Sequence, residues 1–189
     1  MLYRLSTTLV YFVARLFLGF KVKGANCVPA KGPFILASNH LSNLDPPILA
    51  VACPRRICFL AKKELFSNRL FSFYLNSVGA IPLKRGKSDI RAMRKSLSVL
   101  KDKPLLVFPQ GTRRQDFSDI GPGVGFLCRK AGVPVVAARI RGTDVVLPRG
   151  AKKLKRAKIQ VDFAQVEEIV REDTYEQIVF KIIEKIKSL

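Results

Sequence analysis

Six short apolar runs, spaced along 189 residues with helical patterns between them, constrain this chain's fold more than any other feature. They cover residues 34–38 (FILAS), 57–60, 80–83, 105–108 (LLVF), 133–140 (VPVVAARI) and 158–163. Most are rich in β-branched or aromatic residues and bounded by Gly, Pro or charge, which reads as strand. Ser88 is placed to N-cap a helix with Asp89 in its first turn, and Ile90, Met93, Leu97 and Leu100 would then share a face. Residues 123–131 form a short helical segment ended by Gly132. Thr174 and Gln177 have the spacing of a capping box, and an apolar stripe from Tyr175 to Ile186 follows. Strand and helix alternate, so the expected fold is α/β: a central mixed, largely parallel sheet flanked by helices. The chain is long enough for one domain with a substantial core.

In such sheets, function gathers on loops at the carboxyl ends of strands. NHLSNLD (39–45) directly follows FILAS, and FPQGTRR (108–114) overlaps the end of LLVF. The two segments that carry chemistry are thereby expected to meet in one cleft.

Charge narrows the partners. Lys and Arg number 34 against 14 Asp and Glu, a formal net charge of +20 with pI ≈ 10.3. Such a chain repels itself unless an anion is near, and nucleic acid, an anionic membrane or a phosphorylated substrate would each serve. No RNA-binding aromatic signature and no zinc spacing supports nucleic acid. Cys27, Cys53, Cys58 and Cys128 lack C-x-x-C spacing and read as thiols rather than metal ligands or disulfides, in keeping with a reducing cytoplasm. The N-terminal stretch 1–20 is rich in Leu, Val and Phe but broken by Arg4 and Arg15, and its uninterrupted part, 5–14, is too short to span a bilayer. It reads as a core helix or as a helix lying in the membrane interface; the density of leucines and aromatics at a chain end favours the second. Six basic residues between Arg149 and Lys158 would add electrostatic attraction to anionic lipid.

His40 is the only histidine, and Asp45 follows five residues later. A structural histidine would account for the first, and an N-cap ahead of Pro46 and Pro47 for the second. The functional reading, compatible with a cap role because a carboxylate has two oxygens, is a dyad in which Asp45 fixes the imidazole tautomer and the second ring nitrogen takes a proton from a hydroxyl. Ser38 and Ser42 lack a nucleophile-elbow signature, so the attacking hydroxyl would be a substrate's. GAIPLKR (79–85) ends a strand in two cations, and in FPQGTRR glycine permits a tight turn while Thr and Arg offer donors to phosphate.

Four ordered blocks across residues 20–145 resemble the glycerolipid acyltransferase family typified by bacterial 1-acylglycerol-3-phosphate (lysophosphatidic acid) acyltransferases. NHLSNLD resembles its N-H-x-x-x-x-D, GAIPLKR its second block, FPQGTR its F-P-E-G-T-R, and VPVVAARIRG its V-P-V-x-P-V-x-I-x-G. The resemblance implies His40 as general base and Asp45 as its orienting partner. It implies Arg85 and Arg113 as holders of the acceptor's phosphate, in a site shaped by Gly111 and Thr112. It implies a CoA or acyl-carrier-protein thioester as co-substrate, a lysophospholipid acceptor, and no metal or cofactor. It further implies a peripheral or monotopic position at the cytoplasmic face of the cell membrane, with residues 1–20 as the associating helix and 21–189 as one acyltransferase domain. Three departures stand out. Gln110 replaces the motif Glu, keeping the size and hydrogen-bonding capacity suited to a substrate contact but losing the charge. Ala137 stands where the fourth block often has Pro. The chain is also short for the family, so reduced peripheral elements are expected.

Overall fold

Seven strands form one sheet: β1 (Lys21–Lys23), β2 (Ile35–Ser38), β3 (Cys58–Lys62), β4 (Ala80–Leu83), β5 (Leu105–Val107), β6 (Val135–Arg141) and β7 (Gln160–Gln165). The computed structural model describes residues 2–84, 89–117, 120–167, 169–170 and 172–189. The sheet order is β1-β7-β6-β2-β5-β3-β4. Every neighbouring pair is parallel except β6 with β7. The sheet is thus mixed and largely parallel, as the alternating pattern implies. All six expected strands are present, with ends displaced by a residue or two. Strand β1 escaped the sequence reading because its three residues, Lys-Val-Lys, are all exposed and carry no apolar run; it exists through edge pairing with β7.

Burial on both faces explains why the central strands read as continuous apolar runs. Leu36, Leu106, Val136 and Ala138 point into one core layer with Phe34, Ile48 and Leu49. Ile35, Ala37, Leu105 and Val107 alternate into the other, against Val124, Leu127, Ile178 and Ile182. Helices α2 (Asp45–Ala52), α5 (Gly123–Ala131) and α7 (Tyr175–Ser188) supply those last residues. Helix α7 has the expected capping box, Thr174 accepting from Gln177 N–H and Gln177 accepting from Thr174 N–H.

The helix after β4, α4 (Ile90–Val99), begins at Asp89, whose carboxylate accepts from Ala92 N–H. Asp89 is therefore the cap rather than a first-turn residue, and Ser88, expected in that role, lies outside the described residues. Of the expected apolar face, Met93, Leu97 and Leu100 pack on the core and Ile90 is exposed, while Ala92 is buried.

Helix α1 (Leu2–Phe17) is amphipathic. Ala14 is buried and Val10 packs against the core, while Leu5, Leu9, Phe12, Leu16 and Phe17 are exposed. Helix α3 (Arg69–Ser77) lies near it and also exposes apolar side chains, Leu70 and Phe73 among them. No described helix is long and apolar enough to cross a membrane.

Candidate active site

Parallel pairing of β5, β2 and β6 places their carboxyl ends side by side. At the end of β2 the chain is pinned sideways to β6. Asn39 Nδ2 donates to Ile140 O at 2.8 Å, and Ile140 N–H donates to Asn39 Oδ1 at 2.8 Å. That two-way amide bond fixes the backbone on which His40 comes next.

His40 is 6 % exposed, and its ring stacks on Phe108 with centroids 4.0 Å apart. Its Nδ1 is 2.7 Å from Asp45 Oδ2. The same carboxylate oxygen accepts from Leu41 N–H at 2.6 Å and Ser42 N–H at 2.8 Å. Its other oxygen, Oδ1, accepts the Thr143 hydroxyl at 2.5 Å. Asp45 is fully buried, so its solvation comes from these four donors. The expected N-cap role is not what it performs. Asp45 is the first residue of α2, Leu44 holds the cap position without a side-chain bond, and the carboxylate turns back to the loop before the helix. With Nδ1 engaged by the carboxylate, Nε2 is the ring nitrogen left to exchange a proton.

Thr143 lay outside the sequence reading. The short helix α6 (Thr143–Val146) starts after Gly142, whose φ is 85°. A Cβ at Gly142 would sit 2.0 Å from Lys158 O, so only glycine turns the chain there and delivers the hydroxyl to Asp45.

The loop after β5 meets the His40 loop from the other side. His40 N–H donates to Gln110 Oε1 at 2.6 Å, and Arg114 N–H donates to His40 O at 3.0 Å. Gln110 Nε2 donates to Arg114 O at 2.7 Å and Asp116 O at 2.8 Å. Gln110, expected as a possible substrate contact, is 4 % exposed with its carbonyl and both amide protons engaged by backbone. Its amide joins the two loops and does not contribute to the cleft lining.

His40, Gly111 and Arg113 line a cleft of about 600 Å³, together with apolar side chains such as Val10, Leu65, Phe71 and Leu75. Arg113 is half-buried and has no hydrogen-bond or ion-pair partner among the described residues. Thr112 is half-buried and does not contribute to the lining. Arg85 lies outside the described residues. Lys62 and Asn43 also line the cleft, and neither was singled out from sequence. Ser38 and Ser42 are buried, with each hydroxyl donating to a backbone carbonyl, Asn39 O and Leu147 O respectively. The four cysteines are free thiols, and burial pushes that of Cys128 up to about 12.

The site therefore joins an imidazole held by a carboxylate, an open guanidinium and a mostly apolar cleft. The profile of the acyltransferase family matches residues 19–141. The chain belongs to the acyltransferase family. Among members of this family, it is 33 % identical over 112 residues to 1-acyl-sn-glycerol-3-phosphate acyltransferase of Streptococcus pneumoniae. That alignment takes in 58 % of this chain and 42 % of the relative, so the chain spans less than half that protein's length. It is 30 % identical over 97 residues to lyso-ornithine lipid O-acyltransferase of Pseudomonas aeruginosa, covering 50 % of this chain and 36 % of the other. The crystal structure of the 1-acyl-sn-glycerophosphate (LPA) acyltransferase PlsC from Thermotoga maritima superposes with a TM-score of 0.73 at 25 % identity, over 89 % of this chain and 69 % of that one. Within this acyltransferase chain, His40, Asp45, Gln110 and Arg113 fall inside the matched segment, and Thr143 lies two residues beyond it.

Proposed function

We propose that the protein transfers a fatty acyl group from a CoA or acyl-carrier-protein thioester to the free hydroxyl of lysophosphatidic acid, giving phosphatidic acid. The observation that carries this reading is the His40–Asp45 pair opening on a cleft that holds the Arg113 guanidinium and is lined mostly by apolar side chains, Val10 of α1 and Phe71 and Leu75 of α3 among them. A single-chain lipid phosphate has the matching distribution: an anion near the reacting hydroxyl and a hydrocarbon tail beyond it.

In the proposed reaction Arg113 holds the phosphate through its planar fork. His40 Nε2 takes the proton of the acceptor hydroxyl as its oxygen attacks the thioester carbonyl. The carbon–oxygen bond forms, the tetrahedral intermediate collapses, and the carbon–sulfur bond breaks. The imidazolium returns its proton to the departing thiolate. Asp45 stabilises the imidazolium through Nδ1, and Thr143 with the two loop amides holds Asp45. No covalent enzyme intermediate and no metal or cofactor enters this scheme.

The membrane is part of the proposal. Helix α1 gives Tyr3, Ser6, Thr7 and Val10 to the cleft and exposes Leu5, Leu9, Phe12 and Leu16 on another side. Seated in the interface of an anionic cytoplasmic leaflet, it would set the cleft mouth beside its lipid substrates, aided by the net charge of +20. The lyso-ornithine lipid relative favours a second reading, the same chemistry on a lyso-aminolipid. Thiol release from palmitoyl-CoA or an acyl carrier protein, with lysophosphatidic acid, lyso-ornithine lipid and glycerol 3-phosphate in parallel, separates the two. Release that requires lysophosphatidic acid supports the first reading, and release only with another acceptor replaces it.

A further inference from the structure

Gln110 stands where the family's motif has a carboxylate, and its surroundings admit only one orientation of an amide. Its Oε1 faces the N–H of His40, and its Nε2 faces the carbonyls of Arg114 and Asp116. Turning the amide over would set NH₂ against N–H and oxygen against two carbonyls. An ionised Glu is worse placed. One oxygen would accept from His40, while the other, unable to donate, would lie beside the carbonyl oxygens of Arg114 and Asp116. A protonated Glu would restore one of the two donor bonds.

We propose that Gln110 is a positioning residue, an amide lock that joins the loop carrying the His40 imidazole to the loop carrying the Arg113 guanidinium. The lock closes from both sides: Gln110 takes the His40 N–H, while the His40 carbonyl takes the Arg114 N–H at 3.0 Å. The turn between them is set by Gly111, at φ 63°, with its N–H donating to Phe108 O. Asn39 fixes the opposite flank of His40 to β6, so the histidine backbone is held from both neighbouring strand ends. Proton acceptor and phosphate holder then sit at a fixed separation, and turnover depends on that separation even though Gln110 touches neither substrate. The inference rests on the roles proposed above for His40 and Arg113. The ionisable groups near position 110 are His40, and through it Asp45, on the β2 loop, with Arg113, Arg114 and Asp116 on its own loop.

The test compares wild type, Gln110→Glu, Gln110→Met and His40→Ala in acyl transfer from palmitoyl-CoA to lysophosphatidic acid between pH 5.5 and 8.5, with thermal melts. At pH 8 Gln110→Glu is expected to lose on the order of 10²-fold in kcat, the scale of a small misplacement of reacting groups. Both KM values should change little. The ratio of its kcat to wild type should recover toward pH 5.5 as the introduced acid takes up a proton, whereas Gln110→Met should stay low throughout. A Gln110→Glu enzyme equal to wild type at pH 8 overturns the proposal. So does a loss confined to the acceptor KM, which would make Gln110 a substrate contact. Lower melting temperatures with normal kcat would leave it a purely structural residue and also overturn it. Amide hydrogen exchange on the unmodified protein tests the lock without substitution: His40 and Arg114 amides should be protected together, and rapid exchange at either refutes it. If His40→Ala turns over normally, the reaction scheme fails; if it is inactive while Gln110→Glu is fully active, only the lock fails.

Discussion

Asp45→Asn removes one charge from the most densely bonded side chain of the site. The carboxylate accepts four donors, three on Oδ2 and one on Oδ1. An asparagine can keep its oxygen toward Leu41 N–H, Ser42 N–H and His40 Nδ1, and turn its NH₂ to Thr143, whose hydroxyl rotates to accept. The geometry survives, but charge-assisted bonds become neutral ones. At about 1 kcal/mol lost for each of the three bonds on Oδ2, stability should fall by roughly 3 kcal/mol. The catalytic cost is larger, because the imidazolium that forms in the transition state loses its counter-charge. In serine proteases the equivalent change costs about 10⁴ in kcat, and a fall of 10³ to 10⁴ is expected here, about 4–5 kcal/mol of barrier. Thiol release at saturating lysophosphatidic acid and palmitoyl-CoA measures kcat, and a denaturant titration measures stability. A folded Asp45→Asn enzyme within tenfold of wild-type kcat would refute the assignment of Asp45 as the partner that stabilises a protonated His40.

Other substitutions separate the remaining roles. Thr143→Val deletes the donor to Asp45 Oδ1 while keeping the shape; it should lower stability by on the order of 1 kcal/mol and kcat by about tenfold, with KM unchanged. Arg113→Ala should raise the acceptor KM by about 10- to 100-fold, the worth of a charge-assisted contact, while the donor KM stays fixed; steady-state kinetics in both substrates decides it. Replacing Leu9, Phe12 and Leu16 by Gln removes three exposed apolar side chains at about 1.5–3 kcal/mol each if they are buried in lipid. That variant should fold normally, because the positions are exposed, and should no longer sediment with anionic vesicles.

The central strands could be read from sequence because they are buried on both faces, so FILAS, LLVF and VPVVAARI stand out as apolar runs without needing a partner. Strand β1 could not, since Lys21-Val22-Lys23 owes its conformation to β7, more than a hundred residues away. Helix α7 announced itself by a local device, the Thr174–Gln177 box. The start of α4 was misplaced by one residue because Ser88 and Asp89 are both good caps and only backbone geometry chooses between them. The site divides on the same principle. His40 with Asp45, and Gln110 with Arg113, are close in sequence and carry their chemistry in their side-chain types. The grip of Asn39 on Ile140 and of Thr143 on Asp45 spans 101 and 98 residues, and appears only once β2 and β6 are paired. The contact of Asp45 with the His40 ring was legible in the sequence, but its hold on the loop was not: a helix-start carboxylate before two prolines also reads as a cap, and it is the amides of Leu41 and Ser42 that bond to it.

The measurement closest to the central claim is the turnover of His40→Ala in thiol release from palmitoyl-CoA with lysophosphatidic acid, run beside vesicle binding of the same protein. His40 is buried against Phe108 and Asp45, so a thermal melt accompanies the assay to establish that the variant is folded. The account predicts that turnover falls by at least 10³-fold, consistent with loss of a general base worth 10²–10⁴, while vesicle binding is unchanged. Turnover within a few-fold of wild type in a folded His40→Ala protein would contradict it.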